Sequence, residues 1–125
     1  MIDASKLKQD FPFIQCGLEC EKGWNQLIYD LSAELKQMGF NGEVLQIKEK
    51  FGGLRYYIAH DDNELYDRMH RLINEYEKKS FTICEMCGSD KGKLLNKNYW
   101  YRTRCPECEL KEKKQYTLKS ESDES

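Results

Sequence analysis

The chain predicts an α+β fold: a small antiparallel hairpin sheet packed by two helices and followed by a treble-clef-like zinc finger with four cysteine ligands. Three features carry that expectation. Apolar residues recur at helical spacing on both sides of a glycine-interrupted β-rich run, the run itself reads as one hairpin, and two Cys-x2-Cys pairs follow it. With 125 residues, the chain suits one folding unit rather than two large cores.

Residues 1–20 read as an extended lead-in, with Phe11, Pro12, Phe13 and Ile14 as a short apolar patch before Cys16 and Cys20. From Glu21 to Met38, Trp24, Leu27, Ile28, Leu31, Leu35 and Met38 fall at steps of three and four, an amphipathic helix ending at Gly39. Asn41-Gly42 turns the chain. The stretch from Val44 to His60 is interrupted only by Gly52-Gly53, which suits a two-residue hairpin turn. That turn would set Phe51 opposite Leu54, Lys50 opposite Arg55, Glu49 opposite Tyr56, Lys48 opposite Tyr57 and Ile47 opposite Ile58. One face would then carry Leu45, Ile47, Phe51, Leu54, Tyr56 and Ile58, and the other Gln46, Lys48, Lys50, Arg55 and Tyr57.

A second helix is expected to start at Asp61 or Asp62, whose carboxylates suit a helix N-terminus, and to run to about Lys79 with Leu65, Met69, Leu72, Ile73 and Tyr76 on one face. Residues 21–80 thus form a helix–hairpin–helix core and residues 81–118 the zinc finger. Residues 119–125 form an acidic tail with the composition of a disordered segment. A third strand cannot be placed.

Cys84, Cys87, Cys105 and Cys108 form two knuckles with 17 residues between the pairs, the spacing of a four-thiolate zinc site. Two residues between cysteines let both sulfurs turn toward one ion, and two such turns complete a tetrahedron. Pro106 fits the first turn of a helix, so the second pair sits at a helix N-terminus, where the dipole favours thiolate charge. Four protein thiolates leave no position for substrate, so such a site is structural. Cys16 and Cys20 have no second pair to join and read as ordinary, partly buried thiols. His60 and His70 are isolated.

Net charge is only −2, which gives the whole molecule no long-range attraction for nucleic acid or anionic lipid. Residues 81–118 nevertheless hold eight basic against five acidic side chains. The charge of the tetrathiolate accounts for Lys91, Lys93, Arg102 and Arg104 without invoking a ligand. On the hairpin, Lys50 opposite Arg55, with Lys48 and Tyr57 alongside, juxtaposes like charges that an anion or acidic partner would relieve. Lys48, Lys50, Arg55, Tyr57, Lys93, Arg102 and Arg104 are therefore the candidate anion- or partner-binding residues. Glu49 intrudes on the apolar face, where a hydrogen bond to Tyr56 or a buried arginine would accommodate it. With neither a signal-peptide pattern nor a long apolar run, a cytoplasmic protein is expected, and the paired cysteines then read as metal ligands.

Gly23-Trp24, the string Gln46-Ile47-Lys48-Glu49-Lys50-Phe51-Gly52-Gly53-Leu54-Arg55-Tyr56-Tyr57, Ile83-Cys84-Glu85-Met86-Cys87-Gly88 and the later Cys105-x2-Cys108 resemble a family of small, uncharacterised bacterial, phage and prophage proteins. The resemblance covers roughly residues 20–110 and implies a bacterial or viral setting, without supplying catalytic residues. The expectation is a zinc-stabilised, non-enzymatic binding protein, a phage or prophage accessory protein modulating a host protein such as a defence component. One alternative is a nucleic-acid-binding regulator that also uses Trp100 for stacking. Another is a protein sequestering a small anionic nucleotide with Tyr56, Tyr57, Tyr99 and Trp100. No Ser-His-Asp set, phosphate loop or open metal site points to an enzyme.

Overall fold

The computed structural model describes residues 2–61 and 64–113. The order is α1 (Ala4–Asp10), β1 (Leu18–Glu19), α2 (Asn25–Gln37), β2 (Glu43–Lys50), β3 (Gly53–Ala59), α3 (Glu64–Lys79), β4 (Lys93–Lys97) and β5 (Trp100–Arg104), with residues 106–113 helical after β5. The architecture is α+β, with a three-stranded sheet ordered β1-β2-β3 and a separate β4-β5 hairpin. Among the described residues, no helix is long and apolar enough to cross a membrane. The expected acidic tail at 119–125, the end of the finger at 114–118 and Asp62 lie outside the described residues.

The N-terminal segment is not simply extended. Asp3 caps α1, its Oδ1 accepting from the Lys6 backbone N–H at 2.9 Å, and Pro12 stands just beyond the helix's end at Phe11. This helix buries Leu7, which is fully covered. The chain then runs alongside β2, with Val44 N–H bonded to Phe13 O at 3.0 Å and Leu18 and Glu19 paired in parallel with Ile47 and Lys48. That is the third strand, too short to show a period-two pattern.

In α2 the predicted stripe holds: Leu27, Ile28, Leu31 and Leu35 are buried. The helix ends as expected, with Gly39 at φ 93° and Phe40 N–H returning to Leu35 O at 3.0 Å. The stripe of α3 buries Met69 and Ile73.

The hairpin register differs from the expected one. The turn lies at Phe51-Gly52, so Lys50 pairs with Gly53, Glu49 with Leu54, Lys48 with Arg55, Ile47 with Tyr56 and Gln46 with Tyr57. Gly53 is required for a different reason: a Cβ there would stand 2.3 Å from Phe81 Cζ, so the position is kept bare for that ring. An irregularity between Val44 and Gln46 then changes which residues face the core. Val44, Ile47, Leu54, Tyr56 and Ile58 are buried, whereas Leu45 and Phe51, expected on that face, are exposed. Glu49 does not reach Tyr56 or an arginine; its Oε2 accepts from Gly52 N–H at 2.6 Å and caps the turn. Tyr56 pairs instead with Ser32 of α2, the two hydroxyl oxygens 2.8 Å apart.

Strand β3 would be an open edge, and the end of α3 closes it. Ser80 Oγ accepts from Leu54 N–H at 2.9 Å, and Glu77 Oε2 accepts from Tyr56 N–H at 3.0 Å. Side chains here replace the missing neighbouring strand. Ser80→Ala should therefore destabilise the protein by about 1–3 kcal/mol in urea unfolding, because it strands the buried Leu54 donor. An effect no larger than that of an exposed serine would remove this role.

Candidate metal centre

Two local structures bring the four cysteines together. In the first knuckle, Cys84 O accepts from Gly88 N–H at 2.8 Å, and Cys84 N–H donates to Ser89 O at 2.8 Å. In the second, Cys105 immediately precedes the 106–113 helix, with Pro106 in its first turn. Cys108 N–H points at Cys105 Sγ, 3.5 Å away, so the thiol occupies the place of a helix-capping side chain. The β4-β5 hairpin spans the two knuckles. Knuckle, hairpin and helix follow one another in the expected order.

The four sulfurs lie within 4.8 Å of one another, and Cys87 Sγ is 3.6 Å from Cys105 Sγ. A tetrahedron with metal–sulfur bonds of about 2.3 Å has edges of about 3.8 Å, so the cluster is already near the size of a four-thiolate cage. Its electrostatics agree. Burial pushes the Cys84 thiol up, but hydrogen bonds from the backbone around Cys105, Cys87 and Met86 bring it down to about 7. Burial and the other sulfurs push Cys108 far in the opposite direction. Four such thiols cannot all ionise side by side unless a cation answers them, and a soft or borderline divalent ion does so. These residues fit a metal ion.

Neither of the two remaining cysteines joins this cluster. Burial pushes Cys20 up to about 12 and raises Cys16 as well, so it favours the protonated thiol at both.

The centre is fastened to the α+β core. Gly23 N–H donates to Glu85 O at 2.7 Å, Glu21 N–H to Glu85 Oε2 at 3.0 Å, and the fully buried Trp24 donates from Nε1 to Ile83 O at 2.9 Å. A Cβ on Gly23 would lie 2.3 Å from the carbonyl oxygens of both Cys84 and Glu85, so only glycine allows this approach.

The candidate basic residues separate into two groups. Arg102 and Arg104 are buried and bound internally: Arg102 Nε is 3.0 Å from Glu112 Oε2, Arg104 Nε is 2.8 Å from Glu112 Oε1, and Arg104 Nη1 is 3.3 Å from Glu85 Oε1. They are positioned to fix the terminal helix against β5, with Arg102 also stacked 4.8 Å from the Trp100 ring centroid. Burial pushes the Glu112 carboxyl up, but Arg104 and Arg102 more than reverse this and hold it below the usual carboxylate range.

The rest remain at the surface. Lys48, not Lys50, faces Arg55 across the hairpin, and the like charges are answered in part by Glu77 Oε1, 3.7 Å from Arg55 Nη1. Lys50, Lys93 and Tyr57 are exposed. Tyr57 lines a shallow cleft of about 630 Å³ with Cys16, Leu45, Gln46, Tyr66 and His70. A second cleft, of about 450 Å³, lies between Glu19, Glu21 and Glu49 on one side and Trp100 and Arg102 on the other. Neither of these two clefts is lined by Lys48, Lys50 or Arg55, whereas the second includes Arg102 and Arg104.

Sequence reasoning missed Glu85 and Glu112 as the partners of the two arginines. Glu85 lies inside the first knuckle and Glu112 one helical turn beyond Cys108, so proximity to the ligands was the available signal. Comparison of the chain with protein-family models, with curated proteins and with solved structures finds no match in any of the three.

Two outcomes follow from this geometry. In a Trp100→Phe background, stripping the metal with a chelator should red-shift Trp24 emission, because Ile83 and the knuckle loosen together; acidification should do the same as protons displace the ion. Unchanged emission in verified metal-free protein would disconnect the centre from the core. Glu112→Gln leaves two buried guanidiniums short of counter-charge and should lower unfolding stability by ~3 kcal/mol, measurable by denaturant titration.

Proposed function

We propose that this is a zinc-stabilised, non-enzymatic binding protein of a bacterial or phage-infected cell, acting as an accessory protein that holds and modulates another protein. The observation that carries this reading is the donor set, four cysteine sulfurs within 4.8 Å of one another. Such a set suits zinc, and it leaves no coordination position at which a substrate or water would be activated. In this reading the knuckle, hairpin and helix form a treble-clef finger whose task is to hold β4-β5 at a fixed angle to the core. The bacterial or viral setting rests on the likeness of the hairpin string at 46–57, and a cytoplasmic location accords with metal-bound rather than disulfide-bonded cysteines.

A nucleic-acid partner is the second reading, favoured by the absence of any acidic residue in the stretch 91–104. It is weakened by the internal pairing of Arg102 and Arg104, the groups best suited to phosphate. Sequestration of a small nucleotide has the least support, since neither cleft gathers the basic hairpin residues.

Native mass spectrometry of protein purified from a bacterial lysate at low salt should show one zinc per chain and a retained protein mass that survives nuclease. Retained mass lost with nuclease would transfer the proposal to the second reading. The cobalt-substituted protein should give the visible bands of a tetrahedral thiolate site, unchanged by azide or imidazole; a spectrum that shifts on adding either would indicate an open position and revive a catalytic role.

A further inference from the structure

The first sheet and the β4-β5 hairpin meet at the second cleft. One wall carries Glu19 at the end of β1, Glu21 just beyond it and Glu49 from the end of β2, while the other carries Trp100, Arg102 and Arg104 of β5. Glu85 of the first knuckle also lines the cleft. Four carboxylates therefore stand against two guanidiniums, and both guanidiniums are already shared with Glu112. The carboxylates act on common ground: after burial itself, Glu85, Glu21 and Glu49 push up the thiol of Cys20, which lies in the same lining. Excess negative charge gathered in a concave site is a field that draws a cation.

Three of the four carboxylates have partners within the chain. Glu85 binds Arg104 and the Glu21 N–H, Glu49 caps the Phe51-Gly52 turn, and Glu19 Oε2 accepts from Gln46 Nε2 at 2.8 Å, with Lys48 opposite Glu19 in the parallel register. Glu21 differs. Its side chain is exposed, and its carboxylate has no hydrogen bond or ion pair among the described residues. The facing wall has the opposite deficit. Arg102 is 8% exposed and bonds Glu112 through Nε, yet its buried Nη1 has no acceptor among the described residues. A buried donor left without an acceptor is a cost that folding alone does not recover. Trp100, 54% exposed, stacks on the same guanidinium and gives the cleft an aromatic surface.

We infer that this cleft is the protein's docking site for a basic side chain, arginine or lysine, of a partner protein, with the cation against Glu21 and Glu49 and a main-chain carbonyl of the same segment accepting from Arg102. This rests on the binding-protein reading and adds the surface and the partner's chemistry. The carboxylates select a cation and repel phosphate, so the cleft gives a nucleic acid no foothold. Among the described residues only the four cysteines converge closely enough to hold a metal ion, so these carboxylates are spread for a larger cation. The open donor on Arg102 selects a peptide over a free polyamine, because only a ligand that carries an oxygen acceptor beside its cation answers both walls. The aliphatic stem of the basic side chain has Leu18 and the Trp100 ring to lie along.

The test uses the full zinc-loaded chain and a displayed library of random peptides, selected at physiological ionic strength. Enriched peptides should share an Arg or Lys, and Glu21→Gln and Glu49→Gln should each weaken them by about ten-fold. Glu43→Gln, which neutralises an exposed carboxylate outside the cleft, should leave their binding unchanged. Because the Glu21 carboxylate has no bond to lose, Glu21→Gln should melt at the parent temperature, which separates its effect on binding from any effect on folding. Enriched peptides that lack a shared basic residue, or that bind Glu21→Gln and Glu49→Gln as tightly as the parent, would overturn the inference and leave the binding-protein reading standing. An equal loss with Glu43→Gln would reduce the effect to net charge and overturn it as well. Spermidine that binds as tightly as the peptides and is lost in the same two variants would replace the peptide with a free polyamine. A library from which nothing is enriched would overturn the inference and the binding-protein reading together.

Discussion

Residues 82–85 are the segment on which the two parts of the molecule depend. Glu85 N–H bonds to Thr103 O of β5 at 3.1 Å, and Gly92 N–H bonds to Thr82 O at 3.0 Å, while Ile83 O and Glu85 O accept from Trp24 and Gly23. The same short stretch also supplies Cys84. One short segment therefore pairs with the hairpin, supplies a thiol to the candidate metal centre and clamps the entry to α2, so disturbance of any of these reaches the other two. Trp24 makes the coupling strong: its indole is fully buried in the apolar core while its N–H is bound to the knuckle, so hydrophobic burial and backbone hydrogen bonding fix the same side chain.

This arrangement explains why the local basic excess does not produce a broad basic surface. Two of its cations are drawn inward, where Glu112 bridges Arg102 and Arg104, and Glu85 takes a further bond from Arg104. Burial pushes the Glu85 carboxyl up, so its ionised form relies on the Glu21 backbone N–H and Arg104. A network of this kind adds little net stability over apolar packing, but it fixes geometry, because every member loses a partner if the terminal helix shifts. The lysines, on longer and less constrained side chains, are left outside.

What the sequence revealed follows from which interactions are periodic. The stripes of α2 and α3 were legible because burial repeats every three to four residues, and the cysteines were legible because ligation requires a fixed local spacing. The hairpin was legible as a hairpin but not in register. Gly52-Gly53 looks like the turn, and only the position of the Phe81 ring explains why the second glycine belongs to the strand. With the turn one residue earlier, the pairing shifts by two: Lys50 loses its expected place opposite Arg55, and Phe51 enters the turn and leaves the expected core face. Strand β1 and helix α1 were hidden because two and seven residues show too little of any period, although Asp3 with Lys6 N–H was a readable capping signal. The roles of Arg102 and Arg104 depend on contacts eight or more residues away, which no local pattern encodes.

A metal ion at the four cysteines would answer a weakness of the hairpin itself. Strand β4 buries none of its residues, and β5 buries mainly Arg102, Thr103 and Arg104, so the apolar contact that normally stabilises a two-stranded ribbon is almost absent. An isolated hairpin of this length is marginal in water, and Tyr99 held at positive φ makes it more so. Metal ligation would supply folding energy without a large apolar core, because the ion would tie both ends of the hairpin to one point. The apolar residues near the turns would then be released from packing duty, and Leu94, Tyr99 and Trp100 are indeed at the surface of this hairpin. In a chain whose main core is already occupied by α2, α3 and the first sheet, ligation at the four cysteines would let a second, coreless hairpin carry exposed aromatic side chains on a rigid support.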